Sequence, residues 1–194
     1  IYKCVFTNNT ETAINIDGLT ASDGEVNIYA SSFLGGRSFF DSTVHIKNAK
    51  ASISSSLFDG NTAKEAGGVG LINSKASVIT NCTFLRNKAE RGFGVAIKSS
   101  TVHVLNSSFD ANTAASVDEG GAVHISELGA DHVTFYNCIF ANTVGSGIVF
   151  KGPQTISVSN SQFTNNVAVE NGGAMYIYNL GKVEILSSAF MHNR

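Results

Sequence analysis

With 194 residues, 43% of them apolar and 14% charged, the chain holds ample material for one continuous core. Its net charge of −2, with Lys and Arg scattered rather than clustered, removes the electrostatic footprint of a nucleic-acid binder. No apolar run approaches the roughly 18 residues of a membrane-spanning helix and no signal peptide is recognisable, so no membrane contact is expected of this segment.

From the N-terminus onward, Phe6, Phe33, Phe58, Phe84, Phe109, Phe140, Phe163 and Phe190 mark a repeat. Their spacings of 27, 25, 26, 25, 31, 23 and 27 average about 26 residues, within the range of solenoids. Three residues after the Phe stand Asn9, Asn61, Asn87, Asn112, Asn166 and Asn193, with Gly36 substituting once. In the Phe140 repeat the Asn comes one residue early, at Asn142, which predicts a shortened turn. Next comes a strand entered through glycine: GGVGLI from Gly67, GFGVAI from Gly92, GGAVHI from Gly120, GSGIVF from Gly145 and GGAMYI from Gly172. The run up to the following Phe alternates, with Val26 and Ile28, Val78, Val102 and Val104, Val133 and Phe135, Ile156 and Val158, and Val183 and Ile185 predicting half-buried strands. Nothing repeats with a helical period, so helices are minor at most.

One such unit cannot bury its own apolar face, whereas stacked copies can. The expected fold is all-β, a parallel β-helix (solenoid) of about seven to eight coils and about 26 residues per coil, with rungs about 4.8 Å apart. Residues 1–194 read as a single β-helix segment, with irregular coils expected near 33–45 and 125–150. The chain starts with Ile in the middle of a repeat and stops in another. It is therefore read as an excerpt of a longer polypeptide whose neighbouring coils or domains cover its ends.

In a solenoid, equal phases of successive repeats stand above one another, so the alignment becomes a set of columns. Two residues before the Phe the column holds Cys4, Cys82 and Cys138 among serines. At three and two coils apart, about 14 Å and about 10 Å, these cysteines exceed the about 7 Å Cα limit of a disulfide. No disulfide is expected, and they read as small core residues. One residue earlier stand Asn81, Asn106, Asn137 and Asn160, at a bend that favours left-handed backbone. Stacked amides there, and at Asn9, Asn61, Asn87, Asn112 and Asn166, predict two hydrogen-bonded ladders. Between them the rings of Phe58, Phe84, Phe109, Phe140 and Phe163 predict an internal stack.

Three Asn residues, Asn8, Asn81 and Asn106, match the N-x-[ST] glycosylation acceptor. A buried ladder Asn cannot carry a sugar, so Asn8, outside both ladders, is the preferred acceptor.

The pair of motifs F-x-x-N (FTNN, FDGN, FLRN, FDAN, FTNN, FMHN) and G-G-A-[IVM] (GGAV, GGAM and the drifted GGVG) resembles the repeats of chlamydial polymorphic outer-membrane proteins. The resemblance covers nearly the whole chain. It implies a right-handed β-helix of the pectin-lyase-like superfamily, exposed on a cell surface and often adhesive. GSGI at Gly145 and SFLGG at Phe33 depart from the pattern.

Chemistry is sparse. The five histidines, His45, His103, His124, His132 and His192, read as outward strand residues, with His45 and His103 in equivalent V-H-[VI] positions. No Ser-His-Asp, HExxH or CxxC spacing appears, so no catalytic residues are assigned. An acidic column of Glu65, Glu90, Asp118 and Glu170 precedes the glycines. Stacked carboxylates repel by about 1 kcal/mol per pair even in water, so this ridge is a solvated cap or, as the sharper idea, a weak calcium site. Otherwise no cofactor is expected.

The resulting expectation is a non-enzymatic extracellular or cell-surface segment, structural or adhesive, with a host or matrix protein, a glycan or another copy as partner. A polysaccharide lyase, hydrolase or epimerase of the same superfamily is the alternative. Ice binding is set aside because the Thr array it needs is broken by Arg37, Lys88 and Val167.

Overall fold

The Phe residues that mark the repeat become the rungs of a ladder. In the computed structural model, which describes residues 1–18, 24–114, 120–126, 132–152, 155–168, 172–178 and 181–194, Phe6 pairs with Phe33 and Phe33 with Phe58. The pairing continues through Phe84, Phe109, Phe140, Phe163 and Phe190. These three-residue strands, from Val5–Thr7 to Ala189–Met191, form one eight-stranded parallel sheet, here called the Phe sheet. The described residues form an all-β parallel solenoid of about 26 residues per turn, without helices.

Two seven-stranded sheets complete the walls. The glycine-entry sheet runs from Ile14–Asp17 through Ala66–Ile72 and Gly92–Lys98 to Met175–Tyr178. The β-branched sheet runs from Glu25–Tyr29 through Ser77–Thr80 to Lys182–Leu186. A short bridging sheet of two-residue strands, Arg37–Ser38, Thr62–Ala63, Lys88–Ala89 and Thr113–Ala114, links the Phe sheet to the glycine-entry sheet. Alternation decides what faces inward: Val44, Val69, Val95, Val123 and Ile148 on one wall and Ile53, Ile79, Val104, Phe135 and Val158 on another are fully buried. Inside Ser77–Thr80 the inward residues are Ser77 and Ile79, the latter paired with Ile53 and Val104. Val78 points outward beside His103, opposite to the orientation inferred from its β-branched side chain.

Within the stretch 33–45, where an irregular coil is expected, Ser32–Leu34 and Arg37–Ser38 pair in register with the next coil, while Ser42–Lys47 pairs with Ala66–Ile72 across a register shift. The extra residue belongs to the longer strand of each shifted pair, between Ala66 and Val69 and again between Gly92 and Val95. Near 125–150, Ile139–Ala141 and Ser146–Lys151 also pair with both neighbours. Residues 127–131 of that stretch lie outside the described residues.

Two tight corners flank the Phe sheet. On the near side Lys3, Ala30, Ser55, Asn81, Asn106, Asn137, Asn160 and Ser187 all have φ between 48° and 52°. On the far side Asn8, Gly35, Gly60, Arg86, Ala111, Asn142, Asn165 and His192 lie between 50° and 65°. Left-handed backbone is cheapest for Gly and Asn, which accounts for the Asn enrichment at both corners. Asn142 belongs to the far corner, and Thr143 occupies the following position, so this turn is not shortened.

Inside, the Phe rings stack at 4.7 to 5.0 Å between centroids. Beside them runs the inner amide ladder. Asn87 donates through Nδ2 to the Phe58 carbonyl (2.8 Å) and to Asn112 Oδ1 (3.2 Å), while its own Oδ1 accepts from the Asn61 backbone N–H (3.1 Å). Asn61, Asn112 and Asn166 likewise reach the carbonyls of Phe33, Phe84 and Phe140, one coil back. The F-x-x-N motif is thus an inter-coil contact: each Asn satisfies the carbonyl of the previous Phe. Gly36 interrupts the column between Asn9 and Asn61, and Thr143 interrupts it between Asn112 and Asn166.

The column two residues before the Phe is a hydroxyl ladder. Ser31, Ser56, Ser107 and Ser161 each donate to the carbonyl two residues back, and each Oγ accepts from the backbone N–H one coil earlier. Cys82 and Cys138 occupy the same buried position as free thiols, and Cys4 is half-buried at the first coil. Burial pushes the Cys82 and Cys138 thiols up to about 11, against backbone hydrogen bonds that favour the thiolate.

Candidate functional site

The outer face of the glycine-entry sheet is unusual because it is buried too. Register places His45, Gly70, Ala96, His124 and Val149 in one outward column. His45 is 8% exposed, Ala96 3%, His124 6% and Val149 0%. The residues that enter each strand fold back over this column. A Cβ on Gly70 would stand 2.2 Å from Ser42 Oγ, and one on Gly121 would stand 3.1 Å from Val149 Cγ2. Small residues at Gly70 and Ala96 therefore leave room for the turns above them.

The histidines are outward of the core, as read from alternation, but they are covered rather than solvated. Nδ1 of His45, Nδ1 of His124 and Oγ of Ser42 are buried without a hydrogen-bond partner among the described residues. Asp41 Oδ1 lies 3.7 Å from His45 Nδ1, beyond hydrogen-bond length. Burial pushes His124 down to about 3; the cations Lys151, Arg91 and Lys98 act in the same direction, while Glu65 opposes them. At neutral pH His124 is an uncharged side chain set among charges.

Glu65 ties two coils together across this face. Its Oε2 lies 3.3 Å from Arg91 Nη1 and 3.0 Å from Lys98 Nζ. Burial acts to raise its carboxyl, but the Lys98 hydrogen bond and charge, with Arg91 and His124 behind them, hold it below the ordinary value. Arg91, adjacent in sequence to Glu90, thus serves Glu65 of the preceding coil instead. Asp118 and Glu170, the remaining residues of the acidic column, lie outside the described residues. Among the described residues, no three His, Cys, Asp or Glu side chains stand close enough to hold a metal.

The other histidines are scattered. His103 is on the β-branched sheet, paired with Val78 and Thr134. His132 begins the next strand of that sheet, and His192 sits exposed at the far corner. His45 and His103 therefore belong to different walls. The signal overlooked was the longer identity V-H-I at 44–46 and 123–125, which aligns His45 with His124. Sequence reading also passed over Phe39 and Phe40, which are 67% and 74% exposed where the next coil has Lys64 and Glu65.

The near-corner asparagines differ most from expectation. Asn81, Asn106, Asn137 and Asn160 are exposed, not buried. Along this column one amide bond joins neighbours among the described residues, from Asn137 Nδ2 to Asn106 Oδ1 at 2.9 Å. The reason is conformational: at φ near 50° the side chain turns away from the core, and only the following residue points in. Asn8 is exposed at the far corner.

Among curated proteins, the chain is 31% identical over 157 residues to metabotropic glutamate receptor-like protein R of Dictyostelium discoideum. The match covers 78% of this chain and 9% of that relative, so the chain spans less than a tenth of the length of the curated protein it matches. No family model matches the chain, and no solved structure does. Among the described residues, no helix is long and apolar enough to cross a membrane.

Proposed function

We propose that the chain is a non-enzymatic, extracellular structural or adhesive segment of a much larger surface protein, akin to the β-helix passengers of polymorphic outer-membrane proteins. The observation that carries this reading is the internal use of the repeated side chains. The Phe, inner Asn and Ser columns are all consumed in holding coil to coil. What they build is a rigid rod of about 34 Å over seven rung spacings, suited to spacing or display. The similarity to a far longer receptor-like protein supports a surface location.

The test has two arms. Antibodies raised against the folded segment should label intact, unpermeabilised cells, and labelling that appears only after permeabilisation overturns the surface reading. A glycan and matrix-protein binding screen run beside an assay for unsaturated-sugar release separates adhesion from lyase chemistry. Turnover of an acidic polysaccharide would reverse the ranking.

A further inference from the structure

We propose that Asn81 and Asn106 are N-glycan acceptor sites, standing one rung apart on the exposed corner that leads into the Phe sheet. The proposal rests on the extracellular reading only in that the chain must meet a glycosylation pathway.

The register of the coil decides which asparagines can carry the acceptor motif. After an inner-ladder Asn, the second residue is an inward position of the bridging sheet, filled by Ala63 and Ala89 at 4% and 0% exposure. A hydroxyl there would enter the core, and none of Asn61, Asn87, Asn112 or Asn166 has one. After a near-corner Asn the phase is reversed. The next residue points inward (Cys82, Ser107), and the second, Thr83 or Ser108, points out. The two outward hydroxyls stand 3.5 Å apart, which places the two motifs directly above one another. Asn137 and Asn160 share the corner but are followed at that position by Ile139 and Gln162.

The acceptor atom is Nδ2, and its engagement separates the two classes of Asn. On Asn87 it makes the bonds to the Phe58 carbonyl and to Asn112, which a sugar would break. On Asn81 and Asn106, both exposed, Nδ2 makes no hydrogen bond among the described residues. Among the described residues the Asn106 side chain is engaged only through Oδ1, which accepts from Asn137, and a glycosylated amide keeps that oxygen. A glycan at either site therefore leaves the inner ladder and the Phe stack untouched. Asn8, on the opposite corner, would send its sugar from a different edge.

The test is to secrete the 194-residue chain from a eukaryotic cell behind a cleavable leader, which supplies pathway entry whatever the native location. Peptide-N-glycosidase treatment then marks each occupied Asn by its conversion to Asp in peptide mass spectra. Occupancy is expected at Asn81 and Asn106, lost one at a time in Thr83→Val and Ser108→Ala, which keep the corner Asn. Removing the sugars should move the unfolding temperature by less than about 3 °C. Unmodified Asn81 and Asn106 in the secreted, folded chain overturn the proposal. So does modification confined to misfolded, retained chain, because that would mean the corner cannot accept sugar in the native coil.

Discussion

Gly68 has no side chain where Phe84, one coil on, places its ring: a Cβ there would stand 2.7 Å from Phe84 Cδ1. Gly94 and Gly147 make the same concession to Phe109 and Phe163, at 2.9 Å each. The glycine motif and the Phe motif alternate in sequence because they are two sides of one contact. Gly68→Ala should therefore destabilise by about 2 kcal/mol through overpacking, all the more because the Gly94 carbonyl, which cannot swing aside, lies 2.5 Å from the added carbon. Gly60→Ala, where nothing lies within 4 Å and φ is 65°, should cost about 1 kcal/mol from backbone strain alone. Urea unfolding of both variants checks the order.

Asn87→Ala removes a side chain that satisfies the Phe58 carbonyl and the Asn61 N–H, both buried. Orphaning two buried backbone groups predicts a loss of about 3 kcal/mol. Asn81→Gly, at an exposed left-handed corner, should change stability by less than about 0.5 kcal/mol. Equal losses in the two variants would contradict the division between inner ladder and outer corner.

His124 makes stability depend on acid. Its folded value of about 3 lies below the ordinary 6.5, so the unfolded chain binds the proton more readily. Its contribution is constant above pH 6.5 and falls as pH drops from there toward 3, at up to about 1.4 kcal/mol per pH unit. Glu65, held below its ordinary 4.5, contributes above that value and is lost only at lower pH. The window between pH 6.5 and 4.5 therefore belongs to the histidine. Chemical denaturation across it should show a loss of about 2 kcal/mol in the native chain, largely abolished in His124→Gln.

Calcium should leave the segment unchanged. The Glu65 carboxylate already faces Arg91 and Lys98, which offset the charge that a hard cation would have neutralised. Titration calorimetry with calcium is expected to give no binding heat, and chelator no shift in unfolding temperature. A clear heat would require ligands from the acidic column beyond Glu65.

The period, the Phe stack and the direction of Asn61, Asn87, Asn112 and Asn166 were legible because a solenoid superimposes equal phases. A residue that recurs every coil must meet itself. The roles of Asn81 and Val78 were not. Both required knowing where the chain switches from one alternating phase to the next, and a single left-handed residue at a corner reverses every side chain after it. Likewise, the burial of His45 and His124 depends on turns that fold back over the outer face, a contact between segments that alternation within one strand does not encode.

The amino-acid order alone settled that similar coils would stack, how long each would be, and that rings and inner amides would form continuous columns, since all of these follow from periodicity. Tertiary packing decided which asparagines face solvent, why glycine lies against the rings of Phe84, Phe109 and Phe163, and which charges surround the hidden histidine. Those outcomes depend on the handedness of individual backbone corners and on atoms brought together from neighbouring coils, and neither is carried by any one repeat.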